Sequence, residues 1–123
     1  MSRGPADAPS LERAQALSDE GSVVEALEEM DRLLALRPEA PLHLRKAKFL
    51  LQRRNYEEAA HELDRAAALA PGDLAVSVAR AELFVLTDRL EQAQAEFDRA
   101  LALAPADESL RLARLRILIQ RGL

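Results

Sequence analysis

Three stretches, Met30-Asp-Arg-Leu-Leu-Ala-Leu-Arg-Pro38, Leu63-Asp-Arg-Ala-Ala-Ala-Leu-Ala-Pro71 and Phe97-Asp-Arg-Ala-Leu-Ala-Leu-Ala-Pro105, carry one pattern and end in prolines 33 and 34 residues apart. The same offset ties Ala26 to Ala59 and Ala93, Val23 to Tyr56 and Leu90, and Ala14 to Ala47 and Ala81. Register kept over so many columns marks an internal repeat. The one-residue slip falls just after Pro38, in Pro38-Glu-Ala-Pro41, where a connection tolerates shortening better than a helix does.

Apolar residues inside each unit recur at helical spacing: Ala26, Met30, Leu33 and Leu34, then Ala59, Leu63 and Ala66, then Ala93, Phe97, Ala100 and Leu101. Each set predicts one buried stripe. Ser22 with Glu25, Asn55 with Glu58, and Asp88 with Glu91 have cap-plus-acid spacing, which predicts side-chain capping where these second helices begin. The three prolines stop them. Further helical patterns precede them at roughly 10–20, 42–53 and 74–87, and a last one covers about 108–121. The expectation is an all-α chain of seven helices without strands.

These units resemble the tetratricopeptide repeat, a helix–turn–helix of about 34 residues with small residues at the helix contacts, a large apolar residue late in the second helix and a terminal proline. The likeness is strongest in the second helices, because the large aromatic usual near the start of the repeat is replaced by Ser10, His43 and Ser77. It implies a right-handed α-solenoid of antiparallel helix pairs whose first helices line a concave groove, used as a protein-binding adapter. A helix pair cannot bury its apolar face alone, which requires stacking on a neighbour. The predicted organisation is a flexible segment at 1–8 and a repeat domain at 9–123. Its repeats are expected at about 9–39, 40–73 and 74–107, with a C-terminal helix at 108–121.

Each first helix carries two stripes. One, Ala14/Leu17, Ala47/Leu50, Ala81/Phe84 and Leu115/Leu118, is assigned to the core within each repeat. The other consists of Leu11, Gln15 and Ser18, then Leu44, Lys48 and Leu51, then Val78, Glu82 and Val85, then Leu112, Arg116 and Ile119. The resemblance turns this second stripe toward the groove. With outer places apolar in seven of eight cases and a polar middle place in all four, it predicts an oily trough of roughly 350 Å² with a central polar line, suited to an apolar or amphipathic peptide. Some members of the family grip a carboxylate terminus with lysine, asparagine and arginine on successive first helices. The matching places here are Leu11, Gln15, Arg45, Ala75 and Ala79, of which only the arginine could serve, so that mode is disfavoured.

Composition removes other classes. The 123 residues suffice for one compact domain. There is no cysteine, which excludes disulfides, thiolate metal sites and a cysteine nucleophile. A net charge of −4 speaks against nucleic-acid binding. No apolar stretch is long enough for a membrane span, and Met1 to Pro9 has no signal-peptide core, so a cytoplasmic protein is expected. His43 and His61 lack further ligands at metal spacing, the four glycines form no phosphate loop, and Ser10, Ser22, Ser77 and Ser109 sit near helix starts. No enzyme, cofactor or metal is predicted.

Charge is uneven. Residues 41–54 carry Arg45, Lys46, Lys48, Arg53 and Arg54 without an acid, whereas residues 1–40 hold four basic and nine acidic residues. The blocks either attract one another or draw an acidic partner. Glu25, Glu28, Glu29 and Asp31 read as solubilising and capping charges. The last helix keeps Leu112, Ile117 and Ile119 against a partly charged side of Arg111, Arg114 and Arg121, too apolar for a clean cap, so a homodimer through it is a further expectation. The reading is an adapter for another protein or peptide, with a self-associating scaffold as the alternative.

Overall fold

The computed structural model describes residues 8–123. Most of the expected flexible segment, residues 1–7, lies outside them. Seven helices follow in order: α1 (Leu11–Asp19), α2 (Val23–Leu36), α3 (Ala40–Gln52), α4 (Tyr56–Leu69), α5 (Leu74–Leu86), α6 (Leu90–Leu103) and α7 (Glu108–Arg121). There is no strand among the described residues. Each helix packs on the next in sequence, and α3 also touches α5, so the odd-numbered helices form one layer of a solenoid and the even-numbered helices the other. α3 starts two residues earlier than expected, because Pro41 occupies its first turn, where a missing N–H costs nothing.

Capping differs from the sequence expectation. Ser22, Asn55 and Arg89 precede the second helices, and none gives a side-chain cap. Asp88 lies one residue further back at φ +59°. The reason is the turn within each pair, where Gly21, Arg54 and Asp88 adopt positive φ. The following amide donates back to the first helix: Ser22 to Leu17 at 2.8 Å, Asn55 to Leu50 at 2.9 Å and Arg89 to Phe84 at 2.7 Å. The residue before the helix is thereby held near ψ 70°, short of the extended backbone that swings a side chain over the first turn. Side-chain caps occur instead on α1, α5 and α7, and α3 has none. Ser10, Asp73 and Asp107 are extended and accept from Arg13, Val76 and Leu110.

Three core clusters run along the stack. Ala14, Ala26, Met30 and Phe49 form the first. The second centres on Ala47, Leu50, Ala59, Leu63 and Leu83, the third on Ala81, Ala93, Phe97, Leu110 and Ile117. Each borrows residues from the following first helix, which is how one helix pair buries what its neighbour exposes. The alanines at 14, 26, 47, 59, 66, 81, 93 and 100 are 0 % exposed, since helices approach closely only where side chains are small. One expected core assignment fails. Leu115 is 51 % exposed and Leu118 half-buried, because no described helix covers the outer side of α7. That helix docks through Leu110 and Ile117.

Candidate functional site: the face shared by the first helices

The expected groove stripe divides into three environments. Gln15, Lys48, Glu82 and Arg116 are exposed. Leu11, Leu44, Val78 and Val85 are half-buried, and Leu51 is buried. Leu112 and Ile119, at the end of the stack, are 55 % and 67 % exposed. The open oily trough is thus corrected to a polar row above a largely covered apolar floor. The next first helix packs over Leu44 and Leu51 and over Val78 and Val85, whereas no described helix covers Leu112 and Ile119.

Three clefts lie between neighbouring first helices. Gln15, Arg45, Lys48 and Gln52 border one of about 210 Å³ between α1 and α3. Lys48, Leu51, Gln52, Glu82 and Leu86 line a second of about 430 Å³ between α3 and α5. Between α5 and α7 a third, of about 360 Å³, reaches down to Phe97 and Ile117 and is bordered by Glu82, Leu86, Arg116 and Gln120. Shared walls join them into one groove: Lys48 and Gln52 serve the first two, Glu82 and Leu86 the last two. Gln52, Leu86 and Gln120 are groove residues that the stripe did not include. They stand four residues after Lys48, Glu82 and Arg116, and extending the stripe by one helical turn finds them.

The second feature absent from the sequence reading is a buried carboxylate in every pair. Glu29, Glu62 and Glu96 are 1 %, 3 % and 4 % exposed, which corrects the reading of Glu29 as a solubilising charge. The repeated signal was Glu-x-Asp-Arg, which begins one residue before the aligned stretches. Arg32, Arg65 and Arg99 each pair with the glutamate three residues before, at 3.1, 2.9 and 2.8 Å. A base on the first helix joins them: Arg13 to Glu29 at 3.5 Å, Lys46 to Glu62 at 3.1 Å and Arg80 to Glu96 at 3.7 Å.

Bases on the first helices also reach back one repeat. Lys46 contacts Asp31 at 2.6 Å, Arg80 contacts Asp64 at 3.6 Å and Arg114 contacts Asp98 at 2.5 Å. A charge chain therefore runs through the stack. Burial opposes the charge on Lys46, but hydrogen bonds to Asp31 and Glu62 outweigh it and hold the ammonium above the ordinary lysine range. Burial likewise opposes ionisation of Glu62, and hydrogen bonds from His43 and Lys46 outweigh it, holding the carboxyl below the ordinary range.

Part of the basic block is thereby engaged internally. Lys46 ties it to the acidic block through Asp31, and Arg53 reaches Ser18 at 3.4 Å and lies 5.3 Å from the Phe49 ring centre. Arg45 and Lys48 stay exposed on the groove. His43 is buried against Glu62 and His61 is exposed on another helix. Among the described residues no group of three or more His, Cys, Asp or Glu side chains could hold a metal ion, and no helix is long and apolar enough to cross a membrane.

Comparison with known proteins places this architecture. None of the curated proteins matches the chain. Among solved structures, the first TPR domain of Spaghetti (RPAP3), bound to the HSP90 peptide SRMEEVD, is 18 % identical with a TM-score of 0.79, covering 91 % of this chain and 92 % of that one. The second TPR domain of human RPAP3, in complex with the HSP70 peptide SGPTIEEVD, is 25 % identical with a TM-score of 0.75 and coverages of 93 % and 98 %. TTC0263, a thermophilic TPR protein of Thermus thermophilus, is 30 % identical with a TM-score of 0.73; 81 % of this chain aligns with 52 % of it. The chain thus spans about half of that protein. A tetratricopeptide repeat family model matches residues 50–117, more than half of the sequence. With the 33- and 34-residue periods and the stacked helix pairs, this match establishes that the chain belongs to the tetratricopeptide repeat family.

Proposed function

We propose that the chain is a non-enzymatic protein-interaction adapter that holds an amphipathic segment of another protein along the groove of its first helices. The observation that carries this reading is the continuity of the three clefts through Lys48, Gln52, Glu82 and Leu86. Lys48, Glu82 and Arg116 alternate in sign along it and suit polar side chains of the segment. The cleft above Phe97 and Ile117 takes an apolar one.

RPAP3 domains bind peptides ending in Glu-Glu-Val-Asp. The places that would grip such a terminus in this chain hold Leu11, Gln15, Arg45, Ala75 and Ala79, and an apolar wall leaves carboxylate oxygens unpaired. We infer a different class of segment. Leu86→Glu combined with Glu82→Lys disturbs the groove at two exposed positions, so the helical fold is retained. Capture of partners from native lysate, compared by mass spectrometry with the unaltered chain, should lose its specific set. An unchanged set of captured proteins overturns the reading.

A second reading, self-association, is favoured by the outer face of α7, where Leu112, Leu115 and Ile119 are each more than half exposed. Light scattering over a wide concentration range should then give a mass that rises with concentration for the parent chain and stays monomeric for Leu115→Arg. A constant monomer mass for both removes this reading.

A further inference from the structure

The three buried glutamates sit in equivalent nodes that differ at one point. Glu29 receives the Ser10 backbone N–H at 3.1 Å and Arg13 at 3.5 Å on Oε2, and Arg32 on Oε1. Glu62 receives His43 Nδ1 at 2.6 Å on Oε2, and Lys46 and Arg65 on Oε1. Glu96 receives Arg99 at 2.8 Å and the more distant Arg80 at 3.7 Å, both on Oε1. Its Oε2 has no donor among the described residues, although Glu96 is only 4 % exposed. No fully sealed side-chain oxygen or nitrogen among the described residues lacks a partner, so this oxygen opens onto the cleft beside it. A carboxylate oxygen so nearly withdrawn from water carries a desolvation cost that a donor in the cleft would relieve.

The sequence explains the difference. Ser77 stands 34 residues after His43, at the place where the imidazole fills the second node. Serine is too short to fill it, and what remains is a cleft of about 500 Å³ in which Ser77, Arg80, Glu96 and Arg99 meet apolar walls that include Val76 and Leu103. The Ser77 hydroxyl, on a residue 8 % exposed, makes no side-chain hydrogen bond among the described residues. This cleft shares no residue with the groove of the first helices.

We propose that the cleft is a second binding site, taking a neutral aromatic ring with an N–H donor, the indole of a partner's tryptophan side chain, whose N–H goes to Glu96 Oε2. The chemistry selects this class in three steps. A carboxylate oxygen accepts and does not donate, so the ligand must offer a hydrogen, and indole is a donor with no competing acceptor. Arg80 and Arg99 already bring two guanidinium groups to Glu96, and Asp73, the other carboxylate lining the cleft, accepts from the Val76 N–H, so the free oxygen calls for a hydrogen and not for a further positive charge. Those guanidinium groups are in turn attracted to an aromatic face. His43 in the second node is this chain's own example of a ring N–H occupying the position.

The test uses N-acetyltryptophanamide with the whole chain, which has no tryptophan of its own, so indole fluorescence reports the ligand alone. Saturable binding is expected, with amide shifts in the nuclear magnetic resonance spectrum concentrated at Ser77, Arg80, Glu96 and Arg99. The N1-methyl analogue keeps the ring and loses the donor, and should bind roughly tenfold more weakly. Ser77→His places an imidazole in the node and should abolish binding without lowering thermal stability. If that variant loses its helical signal, Ser77→Leu fills the same space and should abolish binding equally. Leu86→Glu in the groove should leave indole binding unchanged, which separates this site from the proposed adapter function. Shifts absent from the cleft, equal affinity for the methylated analogue, or binding retained by a folded Ser77 variant each overturn the proposal.

Discussion

Replacing Glu62 with glutamine removes one charge from the middle of the charge chain while keeping its shape. Glu62 is 3 % exposed and accepts from His43 at 2.6 Å, Arg65 at 2.9 Å and Lys46 at 3.1 Å. Breaking a buried ion pair by removing one partner costs about 3–5 kcal/mol. Here the loss is smaller for two structural reasons. Lys46, whose side chain is 14 % exposed, keeps Asp31 at 2.6 Å, and Arg65, at 63 %, turns to water. The glutamine amide also retains one acceptor, though it offers donors toward groups that already donate. The expected cost for Glu62→Gln is about 2–3 kcal/mol. At about 4 °C per kcal/mol for a chain of this size, the melting temperature should fall by roughly 8–12 °C in far-ultraviolet circular dichroism.

Acid supplies the internal control. The folded-state pKa of Glu62 lies below its ordinary value. Its ionisation therefore contributes stability that is fully present above the ordinary carboxylate range and is lost as pH falls through the lower folded value. The glutamine variant has no such ionisation, and the other carboxylates are common to both proteins. The gap between the two melting temperatures should be widest near neutrality and close in acid. Glu28→Gln, at an exposed position on α2, should stay within about 0.5 kcal/mol of the parent. A Glu62→Gln melting temperature indistinguishable from the parent's, or a gap that does not narrow as pH falls, would refute a stabilising role for the buried charge.

Three other substitutions probe separate parts of the scaffold. Ala59→Leu overfills a site that is 0 % exposed where α4 meets α3, and should cost about 1–3 kcal/mol in chemical denaturation. Arg114→Gln removes the ion pair with Asp98, whose partners are 39 % and 48 % exposed, and solvent screening should keep its effect on the denaturation midpoint below about 1 kcal/mol. Gly21→Ala introduces a β-carbon at φ +86°, where nothing clashes within 4 Å. The backbone alone should make it about 1 kcal/mol less stable in thermal melts, a loss that would be absent if the turn could relax.

The sequence by itself determined the period, the helical state of each segment and the stacking of pairs. These depend on local propensity and on spacings of three and four residues that can be counted along the chain. It also contained the buried glutamates, but burial of a charge is a property of its neighbours. Glu29, Glu62 and Glu96 look like surface acids until Arg13, Lys46 and Arg80 are brought from another helix to meet them. The groove was legible as a face and not as a surface. Periodicity assigns Leu51 and Ile119 to equivalent places, yet one is 9 % and the other 67 % exposed. The difference is that α5 packs beside α3 while no described helix packs beyond α7. Caps failed for a similar reason, since the positive-φ turn that joins two packed helices overrides the preference of Ser22 and Asn55. Which side chains are left for a partner was decided by tertiary contact, because solvent exposure is set by what lies across from a residue and not by what lies next to it in the chain.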